Sequence, residues 1–414
     1  SYRLGELVQN AKNVQNELND YYIFHTFGDP ALRLPFPSRS EDIFDPPDEI
    51  PIIEERNMTV DGASSNSTLL IQGNDKDITD YGSGSLIYTV PGPTYTQVDF
   101  KSSTCFRIPM DAGVCANCAI IQVYQDEDGN TPVLECVRQA ERQVLSEQKT
   151  KSYVGIAGNA SFNESVEKIL FGADHPARKA GRVSSVQTPG GSGGLSVAGH
   201  MIIRAQRDAQ VWLSDPSWPN HLPLLRLAGL RLQQYPYYDY KNHGIDFDAM
   251  TDTFNKLGAG DLVLLHGCCH NPCGADLSRD QWDRLADLFE SRGIVPFLDF
   301  AYQGLAEGLE EDAYGVRLMA ERLDEVVVVT SCSKNFGLYR ERVGMASVIS
   351  KDVKRAKVAQ SNLGNVARGI YSMPPDHGAA IVSRVLNDNE LSAIWIEELA
   401  QMRERLNDLR HLIV

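Results

Sequence analysis

Three side chains that can bind an anion or attack a carbonyl group follow a short run of β-branched residues. They are Ser331, Lys334 and Arg342, and the run covers residues 326–330. Such a run is typical of a buried parallel strand, and open α/β sheets bind ligands beyond the carboxyl ends of their strands. A lysine that is partly desolvated there has a lowered pKa, so its neutral amine can form a Schiff base with a carbonyl. The alternative is an ordinary solvated lysine in a loop.

Two other predicted strands also end in polar side chains. Asp299 and Tyr302 come at and just after the end of a predicted strand at residues 295–300. A carboxylate at the end of a buried apolar strand is costly unless a cation or a ligand nitrogen pairs with it. Asn271 follows a predicted strand at residues 261–265, where its amide can donate a fixed hydrogen bond to a ligand oxygen.

A glycine-rich turn and a tryptophan add to this set. The turn at residues 188–194 lies between a predicted strand and a predicted helix, so its backbone N–H groups can hold a phosphate. A close-packed turn without a ligand is the alternative, because neither the P-loop pattern nor the dinucleotide fingerprint is present. Trp218 follows a predicted strand at residues 211–214, and it can either join the core or stack on a planar ligand.

Taken together, the five strand ends indicate one ligand. They offer a phosphate cradle, a stacking indole, an amide, a carboxylate with a phenol, and an amine with a hydroxyl and a guanidinium. These groups complement an aromatic ring that carries a pyridine nitrogen, a phenolate oxygen, an aldehyde and a phosphate. The sequence therefore predicts pyridoxal 5′-phosphate as the cofactor.

The sequence contains two arrangements that could bind a metal. His266 and His270 are four residues apart, but Asn271 and the proline after it exclude the helix that such a pair requires. Cys115 and Cys118 could form half of a zinc site, but no second Cys/His pair follows at a usable spacing. A local disulfide or buried thiols are the alternative, and we predict no metal.

From about residue 120 onward, strands and helices are predicted to alternate. Further strands are expected at residues 182–187, 230–235, 325–330 and 344–349, and helices at 133–146, 161–171, 279–292 and 313–322. This order predicts an α/β fold with a doubly wound, mostly parallel sheet and helices on both faces. Residues 389–414 are expected to form one long amphipathic helix.

The first 118 residues follow a different pattern. We expect an amphipathic helix at residues 4–19, a Pro- and Asp-rich connector at 35–51, and then a small antiparallel β sandwich or part of one. The β-rich tail and the string at residues 28–34 resemble the C-terminal edge of gingipain-like cysteine peptidases. No matching Cys/His pair follows, so no peptidase activity is predicted. The predicted domains are a β-rich module at 1–118, a cofactor-binding large domain at 119–385, and a connecting helix at 386–414 that begins a truncated small domain.

The composition narrows the classes of partner and compartment. The chain has 414 residues and a formal net charge of −16, which argues against nucleic acid and anionic membrane surfaces as partners. No apolar run approaches the length of a membrane span, and the start is not a signal peptide. Cysteines in helices and at strand ends are typical of reduced proteins, so a cytoplasmic location is predicted. Because the chain lacks an initiator Met and stops inside a helical pattern, we expect a processed or truncated product.

Residues from about 121 to 414 resemble the aspartate and aromatic aminotransferases, which are pyridoxal-phosphate enzymes of fold type I. Four motifs carry the resemblance, at residues 217–221, 270–272, 299–304 and 331–344. It implies a fold-type I large domain and a homodimer that exchanges an amino group between an amino acid and a 2-oxo acid.

The resemblance also implies a role for each site residue. Lys334 would be the internal Schiff-base lysine and proton carrier, and Asp299 would pair with the pyridinium nitrogen. Trp218 would stack on the ring, and His221 would support Asp299. Hydrogen bonds to the ring oxygen are assigned to Tyr302 and Asn271, phosphate binding to Gly191, Ser192, Ser331 and Arg342, and contacts across the dimer to Tyr153 (phosphate) and Arg368 (the distal carboxylate of a substrate).

This chain departs from the family pattern in four places. The arginine that binds the substrate α-carboxylate would lie beyond Val414, and residues 120–122 replace a glycine-rich substrate loop. Cys273 and Met373 replace a Thr and an Asn. A chain that binds the cofactor without turnover is therefore the alternative function. A serine acylase with Ser331 and Lys334 as an S-x-x-K pair lacks the S-D-N and K-T-G motifs that it requires.

Overall fold

The computed structural model describes residues 54–58, 68–72, 81–82, 85–89, 95–99, 123–127 and 129–413. The chain divides into two compact units, Ser1–Gln97 and Val98–Val414. The predicted helix at residues 4–19, the connector at 35–51, and the pair Cys115 and Cys118 lie outside the described residues. The domain boundaries drawn from the sequence stay a prediction.

Five short strands lie between residues 54 and 99. They are β1 (Glu54–Met58), β2 (Thr68–Gln72), β3 (Tyr81–Gly82), β4 (Ser85–Thr89) and β5 (Tyr95–Asp99). β1 pairs with β2 and β3 pairs with β4, both antiparallel, and β5 is the third strand of the β3–β4 sheet. The β-rich character of this segment agrees with the sequence pattern, whereas the packing of the two sheets as a sandwich stays a prediction.

From residue 123 onward the described chain alternates strands and helices. The remaining strands are β6 (Val183–Pro189), β7 (Gln210–Asp215), β8 (Arg231–Pro236), β9 (Tyr238–Asp239), β10 (Gly244–Ile245), β11 (Leu262–His266), β12 (Val295–Phe300), β13 (Val326–Ser331) and β14 (Val343–Ile349). The helices are α1 (Glu135–Glu147), α2 (Ala160–Phe171), α3 (Pro176–Lys179), α4 (Gly190–Ala205), α5 (His221–Leu227), α6 (Phe247–Phe254), α7 (Arg279–Arg292), α8 (Leu309–Asp312), α9 (Tyr314–Arg322), α10 (Val353–Ile370), α11 (His377–Asn387) and α12 (Asn389–Ile413).

Seven of these strands form one mixed sheet. Its order is β6-β14-β13-β12-β11-β7-β8, and all neighbours pair in parallel except β14, which is antiparallel to both β13 and β6. β14 runs the other way because a loop, rather than a crossover helix, connects it to β13. The predicted mostly parallel α/β sheet is therefore confirmed.

Helices cover both faces of the sheet and bury its central strands. All six residues of β13 are buried, as the Val-rich run predicts for a parallel strand between two helical layers. One core cluster includes Leu265, Leu298 and Val328, and the other includes Leu264, Phe297 and Val329, so neighbouring residues of each strand pack on opposite faces.

Two helix ends show why the sequence pattern located the helices well. Ser278 and Gln281 form a capping box at the start of α7, and Gly293 ends that helix in the left-handed conformation.

The glycine turn at residues 188–194 differs from its prediction. It does not precede a helix but forms the first turn of α4, because Gly190 with φ of +71° reverses the chain directly after β6. In the described part of the chain, no helix is long and apolar enough to span a membrane.

Candidate active site

The predicted site residues meet along the carboxyl edge of the sheet. Lys334 follows β13, Asp299 lies in β12 next to it, Asn271 follows β11, and Trp218 follows β7. Gly190 begins α4 directly after β6. The chain crosses the sheet in an order that places these five strand ends side by side, which is where open α/β sheets bind ligands.

Lys334 is partly buried and lies against an aromatic ring. Its Nζ atom is 4.9 Å from the centroid of the Tyr302 ring. Burial lowers the pKa of Lys334 below its usual range, the Arg342 charge lowers it further, and Asp299 opposes both. A larger fraction of the amine is therefore neutral near physiological pH than for a surface lysine, as nucleophilic attack on a carbonyl requires.

Asp299 stays ionised although it is buried. Its Oδ2 atom lies 2.8 Å from Nε2 of His221, whose Nδ1 atom is 2.9 Å from the Ser217 hydroxyl. Burial acts to raise the pKa of Asp299, but the hydrogen bond and the electrostatic interaction with His221 outweigh it, and the pKa is lowered overall. The site thus holds a fixed negative charge that suits a protonated ring nitrogen.

Three imidazole rings lie in contact beneath this carboxylate. The ring centroids of His221 and His266 are 5.2 Å apart, and those of His266 and His270 are 4.0 Å apart. Burial, with a smaller contribution from His221, lowers the pKa of His266 to about 3, and burial lowers that of His270 well below its usual range. His266 and His270 therefore stay neutral, and in the described part of the chain no three His, Cys, Asp or Glu side chains are grouped as metal ligands.

Because His270 stays neutral in the folded chain, acid should destabilise the fold. The unfolded chain binds a proton at His270 below about pH 6.5, whereas the folded chain does not, so stability falls as the pH drops through that value. Because of this proton uptake, the free energy of unfolding should fall by about 1.4 kcal/mol for each pH unit well below that value. Urea unfolding of the His270→Gln variant should show a slope that is shallower by nearly this amount between about pH 6 and pH 5, and by less near pH 7.

The matched control for this measurement is His243→Gln, because His243 is exposed. It should leave the pH slope as it is in the unmodified chain. A slope in His270→Gln equal to that of the unmodified chain would show that His270 takes up a proton in the folded state.

Asn271 and Tyr302 form a polar pair on neighbouring loops. The Asn271 side-chain amide donates to the Tyr302 hydroxyl at 3.4 Å, and its own carbonyl oxygen is buried with no hydrogen-bond partner. Burial raises the pKa of Tyr302, with Asp299 adding to the effect, so the phenol stays protonated. The Asn271 amide N–H group and the protonated phenol are donors that a ligand oxygen can accept from.

The start of α4 and the loop after β13 form an anion cradle. A Cβ atom at Gly190 would lie 2.4 Å from Nη2 of Arg342, and one at Gly191 would lie 3.3 Å from Cβ of Ser331. Only glycines let the guanidinium and the hydroxyl approach the helix start this closely. Arg342 itself has φ of +53° and donates to the Ser333 hydroxyl at 3.2 Å. The guanidinium is thus fixed at the positive end of α4, an arrangement that suits a phosphate.

Two carboxylates hold the loops that carry these side chains. Asp312 accepts hydrogen bonds from the backbone N–H groups of four residues after Tyr302, namely Gly304, Ala306, Glu307 and Gly308. Asp276 accepts from the N–H groups of Cys269 and His270, just before Asn271. Neither residue is indicated by the sequence, because a single acidic residue in a loop gives no local signal of its partners.

The donor set fits pyridoxal 5′-phosphate. The cradle of Arg342, Ser331 and the α4 start suits its phosphate, and the ionised Asp299 suits its ring nitrogen. The Asn271–Tyr302 pair suits the ring oxygen, and the Lys334 amine suits the aldehyde. Trp218 is half-buried, and its ring meets that of His221 edge-on at 5.2 Å. Ser192 lies in the first turn of α4, within the predicted cradle.

Two predicted site residues point to solvent in the single chain. The Tyr153 side chain is 92% exposed, and Arg368 is exposed in the last turn of α10. An exposed tyrosine of this size has no packing role within its own chain.

The sequence and the described fold match a known family. The family model for aminotransferase class I and II matches residues 121–414. An aspartate aminotransferase from Escherichia coli K12 is 45% identical over 294 residues, which cover 71% of this chain and 74% of the relative. An aromatic-amino-acid aminotransferase from Pseudomonas aeruginosa is 45% identical over 290 residues, covering 70% of this chain and 72% of the relative.

Solved structures give the same result. An aromatic-amino-acid aminotransferase from Burkholderia pseudomallei, covalently bound to pyridoxal phosphate, superposes with a TM-score of 0.69. It is 43% identical in sequence, and the superposition covers 70% of this chain and 73% of that one.

Proposed function

The chain belongs to the aminotransferase class I and II family, and we propose that it exchanges an amino group between an amino acid of the aspartate or aromatic class and a 2-oxo acid. Its cofactor is pyridoxal 5′-phosphate. The observation that carries the proposal is the partly buried Lys334 amine, which lies on the strand end next to the ionised Asp299. The comparisons do not support the alternative of a cofactor-binding chain without activity.

When bound, pyridoxal 5′-phosphate supplies an aldehyde that carries the amino group and a pyridinium ring that withdraws electrons from the substrate. Arg342, Ser331, Ser192 and the backbone of Gly191 would hold the phosphate. Trp218 would stack on the ring, and Asn271 and Tyr302 would bind the ring oxygen. Asp299, kept ionised by His221, would hold the proton on the ring nitrogen.

Lys334 has two tasks in this proposal. Its Nζ atom would hold the cofactor through the aldehyde. Its amine would also move the proton at the substrate Cα atom, which a group with a lowered pKa does well near neutral pH. Amino acid and 2-oxo acid then react in alternating half-reactions, so neither needs to be bound while the other reacts.

Amino-group exchange in the purified, cofactor-loaded chain tests this function. The chain is mixed with 2-oxoglutarate and either aspartate or an aromatic amino acid, and glutamate is measured. Each active donor should produce glutamate in step with its own 2-oxo acid. Bound cofactor without glutamate from either donor would overturn the proposal, and the relative rates of the two donors separate the aspartate from the aromatic class.

We propose further that two copies of the chain form a homodimer. The 92% exposed Tyr153 and the exposed Arg368 support this, because each would be buried by a second copy and would complete its site. Sedimentation of the full chain tests the assembly, and a species of monomer mass at assay concentration would contradict it.

A cytoplasmic location without a nucleic-acid or membrane partner belongs to the same proposal. The net charge of −16 supports it, as does the lack of a disulfide among the cysteines in the described part of the chain. Fractionation of the source cells tests the location, and recovery of the chain outside the cytoplasmic fraction would contradict it.

A further inference from the structure

The long helix α12 contacts three loops of the site. Trp395 donates to the Asn335 carbonyl at 2.8 Å, after β13. After β12, Arg403 donates to the Gly304 carbonyl at 3.2 Å and Asn407 to that of Ala306 at 3.1 Å. After β11, Arg410 reaches the Cys269 sulfur at 4.0 Å. These are the loops that carry Lys334, Tyr302 and Asn271.

Trp395 makes two contacts with the loop after β13. Its side chain is 1% exposed, and its indole ring stacks on the ring of Phe336 with centroids 4.5 Å apart and an interplanar angle of 8°. The same indole donates its N–H to the carbonyl of Asn335. The two residues that follow Lys334 are therefore held by one rigid side chain from a helix about sixty positions further along the chain.

Asn335 extends this connection to the Tyr302 loop. Its side chain is buried, and its amide donates to the Gln303 carbonyl at 3.3 Å. Gln303 in turn donates to the carbonyls of Ile169 and Leu309. A continuous path of hydrogen bonds thus joins the indole of Trp395 to the residues next to both Lys334 and Tyr302.

We propose that Trp395 is a positioning residue for Lys334: by stacking on Phe336 and bonding the Asn335 carbonyl, it fixes the loop that holds the amine against Tyr302. The inference rests on the proposed role of Lys334 as the reacting amine. Nothing in the sequence around residue 395 indicates this role, because the contact is between distant segments. Loss of the indole N–H leaves a buried carbonyl without its partner, and the loop then moves toward solvent to satisfy it.

The test measures the acid–base behaviour of Lys334 in the full chain without cofactor. Acetic anhydride acetylates only the neutral amine, so acetylation of Lys334, measured by mass spectrometry against pH, reports the pKa of its ammonium. The groups that face this amine are the Tyr302 phenol, the Asp299 carboxylate and the Arg342 guanidinium. In Trp395→Phe the ring can still stack while the N–H is gone. The midpoint for Lys334 should rise by about half a pH unit or more, toward that of a solvated lysine.

Trp282→Phe is the matched control, because Trp282 is also buried but lies in α7 and packs against Gly315. In this variant the pH midpoint for acetylation of Lys334 should equal that of the unmodified chain. If Trp395→Phe does not fold, Phe336→Leu, which removes the stacking partner, decides the question by the same measurement. An unchanged Lys334 midpoint in a folded Trp395→Phe or, failing that, in Phe336→Leu would overturn the proposal. Because no substrate is added, this outcome is independent of whether the chain exchanges amino groups.

Discussion

Replacement of Lys334 by alanine is expected to lower the rate of amino-group exchange by a factor of about 10⁴ or more. The variant loses both the attachment point of the cofactor and the base that removes the Cα proton. Neighbouring groups do not compensate, because the Tyr302 phenol has a raised pKa and the Arg342 guanidinium does not act as a base. The measurement is glutamate formation from 2-oxoglutarate with the cofactor in excess.

Binding of the cofactor separates this effect from misfolding. The phosphate cradle is intact in Lys334→Ala, so the variant should still retain cofactor, which dialysis should remove more readily because the covalent bond is missing. Lys351→Ala is the control, since Lys351 is exposed and pairs with Asp324 at 2.7 Å. A Lys334→Ala rate within tenfold of the unmodified chain would mean that another group carries the proton.

The sheet could be predicted because its signals are local. The β12 prediction matched the structure residue for residue at Val295–Phe300, and so did the helix at Arg279–Arg292. A buried parallel strand is a continuous apolar run, and a helix with Ser before it and Gly after it carries its own start and stop signals. Because strands and helices alternate along the chain, the site could be placed at the carboxyl edge of the sheet.

The connections between distant segments could not be predicted in this way. Glu398 caps the start of α1 by accepting from the N–H groups of Glu135 and Cys136, and Trp395 bonds the Asn335 carbonyl. Each contact depends on how the finished fold brings two segments together, and one side chain accepts or donates equally well in many places. The role of Gly190 was missed for the same reason, because the side chain that would collide with a Cβ there belongs to Arg342.

The pairing of Asp299 with His221 could be predicted from the sequence in part. The strand pattern placed a carboxylate at a buried strand end, and the cost of burying it indicated a partner. The structure supplies that partner in His221, whose ring is fully buried 2.8 Å from the carboxylate. The energetic cost of burying a carboxylate therefore indicated that Asp299 has a partner. The resemblance to aminotransferases indicated that this partner is His221.

Replacement of Asp299 by asparagine should lower the rate of amino-group exchange by about 10²–10³-fold while the cofactor stays bound. Asparagine keeps the shape of the side chain and can still accept the hydrogen bond from His221, so the fold and the ring stack should be preserved. What is lost is the negative charge, which in a partly desolvated site stabilises a protonated ring nitrogen far more than it does in water. A ring nitrogen without that proton would make the ring a weaker electron-withdrawing group. Removal of the Cα proton by Lys334 would then be slower.

Two comparisons show whether the charge is responsible. Asp287→Asn, which removes a carboxylate paired with Arg322 on the surface, should leave the rate unchanged. His221→Asn leaves the Asp299 carboxylate in place but removes the hydrogen bond and the electrostatic interaction that lower its pKa, and it should lower the rate by about tenfold. If Asp299→Asn retained a rate within threefold of the unmodified chain with the same bound cofactor, the buried carboxylate would have a structural role only. The ordering of the variants, with Asp299→Asn slower than His221→Asn and both slower than Asp287→Asn, is the result that the geometry requires.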